Sequence, residues 1–200
     1  MQDQVVSALF ATVTTIIGGI FGFLLSEVAT RRREAREARE RSQSVRLILG
    51  LEIDRNLETL RAFWTQIKPS DETGDRRKLN MTQQFVDIPL LPFSQDGLNS
   101  QLPLLAQALP RPVIAAVFQF YDKLGKIQTL HAELNEANRD QQQEMAKFRA
   151  SATAPGQTPG IMYAPRTPLD NKGSQLWDEI EQLFTSLLKD GNPISQHAKS

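Results

Sequence analysis

The chain has no cysteine and only two histidines, His131 and His197, among 200 residues. Without thiols there is no disulfide framework, no thiolate nucleophile and no zinc–thiolate site. Two imidazoles leave little from which to build a histidine metal centre or a general base. An excess of one charge is also missing. The 23 Lys+Arg and 23 Asp+Glu cancel to a formal net charge of zero, which excludes a general electrostatic binder of nucleic acid. A phosphate loop is absent as well: Gly18, Gly19 and Gly22 lie in an apolar run with no Lys-Ser/Thr after them. Finally, no charged residue stands between Asp3 and Glu27, and no Lys or Arg precedes Arg31.

That uncharged stretch is the strongest feature present. Residues 5–25 read VVSALFATVTTIIGGIFGFLL. At ~1.5 Å per residue they span about 31 Å as a helix, which matches the hydrocarbon thickness of a bilayer. The hydroxyls of Ser7, Thr12, Thr14 and Thr15 can bond back to helix carbonyls. The preceding MQDQ lacks the basic start of a signal peptide, and the following SEVATRRR lacks a small-x-small cleavage site. An uncleaved anchor is therefore expected. Arg31, Arg32, Arg33, Arg36, Arg39 and Arg41 all follow the run. The positive-inside rule then expects a single-pass protein of the inner (cytoplasmic) membrane, N-terminus outside and C-terminal domain cytoplasmic. Ala11, Thr15, Gly18, Gly22 and Ser26 recur at spacings of three and four, a small face on which another membrane helix can pack. Such residues are also simply common in membrane helices, and both readings stay open.

Residues 30–44 are rich in Arg, Glu and Ala, strong helix formers, with i,i+4 pairs at Arg33 with Glu37, Arg36 with Glu40 and Glu37 with Arg41. The helix is expected to continue out of the membrane. Arg31, Arg32, Arg33 and Arg36 are placed to meet anionic lipid headgroups. Interleaved Glu and the lack of stacking aromatics weigh against nucleic acid as a partner.

From Val45 the pattern becomes amphipathic, with Leu49, Ile53, Leu57, Leu60, Phe63 or Trp64 and Ile67 on one face. Gly50 is a weak point where the helix is expected to bend. Glu52 and Asn56, i and i+4 beside this face, are expected to have a structural polar role, with Asn56 bonding backbone groups of the irregular 85–110 stretch. Prolines at 89, 92, 103, 110 and 112 forbid a long helix over 78–112. Two short helices, 93–101 capped by Ser94 and 104–109, are expected there. A second long helix begins near Pro112 and carries a seam through Val117, Phe120, Leu124, Ile127, His131 and Leu134. The seam turns polar at Asn138 and Gln141 before Met145 and Phe148. His131 is expected as a seam-edge residue. The Pro/Gly-rich 151–173 reads as a linker. A short helix over 174–190 presents Trp177, Phe184 and Leu188, with Gly191 placed to cap its end. It either docks back on the long helices, the favoured reading because an exposed apolar patch of that size is unusual, or binds a partner.

The string LEIDRNLETLRAFW, the Pro-rich stretch and then PRPVIAAVFQFYDKLGKI resemble a diffuse group of uncharacterised prokaryotic single-pass membrane proteins. In that group an E-I-x-x-N-L helix and a later aromatic-Tyr-x-x-Leu helix follow one membrane segment. The resemblance implies an architecture and no activity.

The expected fold is all-α. A membrane anchor (1–29) and a basic juxtamembrane helix (30–44) lead into a small cytoplasmic helical domain (45–150). A linker (151–173) and an amphipathic C-terminal helix with its tail (174–200) complete the chain. With no cofactor, metal or catalytic constellation in view, a non-enzymatic, self-associating scaffold or interaction module is expected. Its expected partners are lipid, a second copy or another membrane protein, and Trp177, Phe184 and Leu188 are candidates for partner contact. The competing expectation is an oligomeric membrane effector or pore.

Overall fold

The computed structural model describes the backbone of residues 2–69, 71–152 and 168–199, and their side chains apart from 2–18, 20, 150–152, 168, 170 and 171. Helix α1 (Gln2–Trp64) runs unbroken from the apolar run through the Arg/Glu stretch into the amphipathic segment. Then follow α2 (Gly74–Asp87), α3 (Asp96–Gln101), a 3-10 turn (Leu102–Leu104), the single turn α4 (Leu105–Ala108), α5 (Arg111–Ala152) and α6 (Pro168–Lys199). Among the described residues there is no strand, so the chain is an all-α helical bundle. Among the described residues, too, no helix is long and apolar enough to cross a membrane. Most side chains of the expected 5–25 span, including those of Ala11, Thr15 and Gly18, lie outside the described residues.

The bundle begins at Val45, the first buried residue of α1 among those described. Val45, Leu49, Ile53, Leu57 and Leu60 recur at three- and four-residue spacing, so burying one stripe buries them all. They join Val117, Phe120, Leu124, Ile127 and Leu134 of α5 and Trp177, Ile180, Phe184 and Leu187 of α6 in one core. Helix α6 packs along both α1 and α5, and α2 packs on α6 as well.

The last helix is therefore not the short appendage expected from the sequence. It has 32 residues and starts inside the expected linker, at Pro168. Of the remainder of that linker, residues 153–167 lie outside those described, and Ser151 and Ala152 belong to α5. Gly191 does not cap the helix. The helix continues through it and through Pro193, because Gly191 lies against α1, where an added Cβ would sit 2.5 Å from Leu57 Cδ2. Gly50, expected as a bend, lies within α1 where the Lys199 stem of α6 crosses closely enough to leave no room for a Cβ.

Helix α2 is a further departure, since the two short helices expected before the second long helix, 93–101 and 104–109, both lie beyond it. Its buried residues, Met81, Thr82, Phe85 and Val86, sit at i, i+1, i+4 and i+5 and face α6 and α5. Gly74 opens it at φ 62°, a left-handed conformation that a side chain disfavours.

Candidate functional site

Between the apolar segment and the bundle, α1 stands bare. Residues 19–44, side chain 20 apart, are exposed except for partial cover at Glu37 and Ser42. This is a rod of about 39 Å at ~1.5 Å per residue. A helix polar all round survives alone through i,i+4 pairing. The rod has Arg31 Nε to Glu27 at 2.9 Å, Arg33 Nε to Glu37 at 3.0 Å and Arg41 to the same Glu37 at 3.6 Å. Arg32 and Arg36 are exposed. The rod's N-terminal end is apolar and equally bare: Phe21 is 64%, Phe23 70% and Leu25 67% exposed. Gly22 and Ser26 share this end. A Cβ on Gly22 would meet nothing within 4 Å, and the Ser26 carbonyl accepts the Thr30 hydroxyl at 2.9 Å.

Where the rod enters the bundle, Glu52 and Asn56 tie three helices together. Asn56 is 2% exposed and acts as a surrogate peptide group: its Nδ2 donates to the Ser94 carbonyl at 2.8 Å, and the Ser94 N–H donates to its Oδ1 at 2.9 Å. The buried Glu52 carboxylate accepts from the Gly97 N–H (2.5 Å), the Leu98 N–H (3.3 Å), the Ser94 hydroxyl (3.1 Å) and the Tyr121 hydroxyl of α5. The first two donors are free N–H groups at the start of α3, which has no cap from its own residue Gln95. Ser94, expected as that cap, spends its hydroxyl on Glu52 instead, and a carboxylate from α1 takes over the capping. Gly97 makes this approach possible, since a Cβ there would lie 2.8 Å from Glu52 Oε2. Burial first, and then the hydrogen bond and charge of Glu52, push the Tyr121 phenol far above its ordinary range, so it remains a donor.

The C-terminal helix is held by two kinds of contact. Trp177 (1% exposed) and Phe184 (0%) are core residues. Trp64 stacks on Phe184 at 4.4 Å between ring centroids and on Trp177 at 6.0 Å. Phe85 meets both edge-on. The helix thus docks on the long helices, the favoured of the two readings, and Trp177 and Phe184 are buried inside the chain, so the competing assignment of these two to an external partner is corrected. Leu188 is likewise partly buried against the core. Around this core α6 makes ion pairs to α2, α5 and α1: Arg77 with Glu181 (3.6 Å), Lys78 with Asp178 (2.6 Å), Lys126 with Glu179 (2.5 Å), Lys123 with Asp190 (3.5 Å) and Lys199 with Asp54. Ser195 also donates to Asp54. Burial raises the pKa of the Asp54 carboxyl, but the hydrogen bonds from Lys199 and Ser195 and the charges of Lys199 and Arg61 outweigh it and leave it below the usual range.

His131 is half-buried, edge-on to Phe63 and Phe85. Its Nε2 lies 3.1 Å from the Ile88 carbonyl and its Nδ1 3.1 Å from Asn135 Nδ2. In the neutral ring this fits a proton on Nε2 and an acceptor at Nδ1. Burial lowers its pKa, against the opposing pull of the Ile88 and Phe85 carbonyls. Among the described residues no group of His, Asp and Glu is arranged to hold a metal ion.

The sequence singled out Glu52 and Asn56 and placed Asn56 on backbone groups of the 85–110 stretch, which Ser94 supplies, but not Gly97 against Glu52 or Asp54 against α6. Tyr121 entered only through the aromatic-Tyr-x-x-Leu string; its place beside Phe120 at the edge of the α5 stripe was the available signal. The two strings of the resemblance meet here, Glu52 and Asn56 from one and Tyr121 from the other. The chain matches no protein-family model, no curated protein and no solved structure.

Proposed function

We propose that this protein is a membrane-anchored, non-enzymatic helical interaction module. The N-terminal part of α1 spans the bilayer, its Arg-rich base meets anionic headgroups, and the rod holds the bundle off the surface as a self-associating scaffold. The layout of the single-pass group that the sequence resembles belongs to the same proposal. One observation carries the reading. Phe21, Phe23, Leu24 and Leu25 are each more than half exposed on a helix whose bundle does not begin until Val45. Apolar surface of that density without protein cover is accounted for by lipid. The charge step from none over residues 5–25 to Arg31, Arg32, Arg33 and Arg36 fits an N-out orientation.

The chain has no cysteine, so single reporters can be introduced cleanly. With a membrane-impermeant maleimide on intact host cells, Gln2→Cys is expected to react and Gln175→Cys only after lysis. Labelling of both before lysis, or of Gln175→Cys alone, contradicts the topology.

A further inference from the structure

Three consecutive residues near the end of α6 work against the helix they sit in. Gly191 has low helix propensity. Pro193 brings no N–H to the Lys189 carbonyl, and its ring crowds that carbonyl. Asn192, directly before the proline, is pushed away from helical angles. Residues 194–199 follow, a stretch too short to hold a helix in water unaided, and the helix nevertheless continues to Lys199.

These last turns are held by α1. As far as Asp190, α6 forms its ion pairs with Arg77 and Lys78 of α2 and with Lys123 and Lys126 of α5. Asn192, Ser195 and Lys199 turn instead to α1. Arg61 donates to Asn192 at 2.6 Å, Ser195 donates to Asp54 with the Gly50 carbonyl 3.2 Å away, and Lys199 pairs with Asp54. Ser195 and Ala198 are buried, so the contact is packed as well as bonded. Gly50 permits it, since a Cβ there would run into the Lys199 stem.

We propose that residues 194–199 are a clasp that opens and closes on α1 as one unit, hinged at Gly191–Pro193, while the rest of α6 stays docked. Asp54 controls it, as the common acceptor of Ser195 and Lys199. Opening breaks those two bonds and uncovers Ser195 and Ala198. It leaves the stacking of Trp64 on Trp177 and Phe184 intact, because both partners lie before the hinge. It also uncovers Gly50 and Asp54, and so widens the accessible face of α1 where the rod enters the bundle. The clasp thereby sets how much of that face is open.

Residue-resolved hydrogen exchange of the full chain in mild detergent tests this. A helix end that merely frays loosens residue by residue. A clasp opens in one step, so the amides of Ser195–Lys199 are expected to share one protection factor, at least about tenfold below that of Leu183–Leu188. Asp54→Ala is expected to lower the protection of Ser195–Lys199 about tenfold further and to leave Leu183–Leu188 unchanged. Pro193→Ala removes the hinge and is expected to raise the protection of Ser195–Lys199 at least about tenfold. A graded decline from Leu188 to Lys199 without a step overturns the clasp. So does Asp54→Ala lowering protection along all of α6, or Pro193→Ala leaving Ser195–Lys199 as they were.

Discussion

The junction of rod and bundle turns on a handful of polar atoms. Asn56 is buried and satisfies both backbone groups of Ser94, so Asn56→Ala leaves a buried N–H and C=O without partners. A loss of about 1–3 kcal/mol in unfolding free energy is expected, read from denaturant unfolding of the full chain in mild detergent. An unchanged midpoint would refute the bridging role. Tyr121→Phe removes one donor from the Glu52 carboxylate and should cost ~1.5–3 kcal/mol, the range for hydrogen bonds to charged groups. Glu52→Gln in addition turns an amide N–H₂ toward one of the two backbone donors, Gly97 N–H at Oε2 or Leu98 N–H at Oε1, so the double variant should gain nothing from the isosteric shape. His131 gives the pH signature. Its folded pKa lies below the ordinary 6.5, so the unfolded chain binds more protons near that pH and stability rises with pH. The His131 contribution is fully present above 6.5 and is lost as the pH falls through 6.5 toward the lower folded value. His131→Gln should flatten the stability profile there, and an unaltered slope would show that another group titrates. The i,i+4 spacing of Glu52 and Asn56 beside an apolar stripe was legible in the sequence. So was the kind of partner Asn56 takes, backbone groups of the 85–110 stretch, which Ser94 supplies. The partners of Glu52 were not, because Ser94, Gly97 and Tyr121 reach it only once three helices have closed.

At the scale of elements, α6 is the helix that joins the others. Trp177→Ala or Phe184→Ala removes an aromatic with no more than 1% exposure and is expected to destabilise by about 3–5 kcal/mol. Hydrogen exchange should then show α6 losing protection first, with α1 and α5 losing theirs along their shared contacts with it. Loss confined to α6 would mean that the helix is an accessory. The sequence showed the apolar face of this helix, yet not its length. Gly191 reads as a stop signal on propensity alone, while close packing against Leu57 favours a residue without a side chain, and the helix runs on through Pro193. The missed α2 has the same origin. Its apolar residues are few and its first turn is polar, so only burial against α6 and α5 selects the helix. The continuous α1 was legible because nothing in residues 26–46 breaks a helix and the Arg/Glu spacings support one.

For the whole molecule, one helix carries apolar surface at one end and a packed domain at the other, with a bare charged rod between them. That arrangement makes sense of three otherwise separate facts: the uncharged run, the arginines directly after it, and the delay of the first buried residue until Val45. It also sets the most direct test. Host membranes containing the full chain are extracted with alkaline carbonate, beside a chain that begins at Arg31. The account predicts that the full chain stays in the membrane pellet through the extraction while the chain from Arg31 is released as a folded helical protein. Release of the full chain into the supernatant would contradict it.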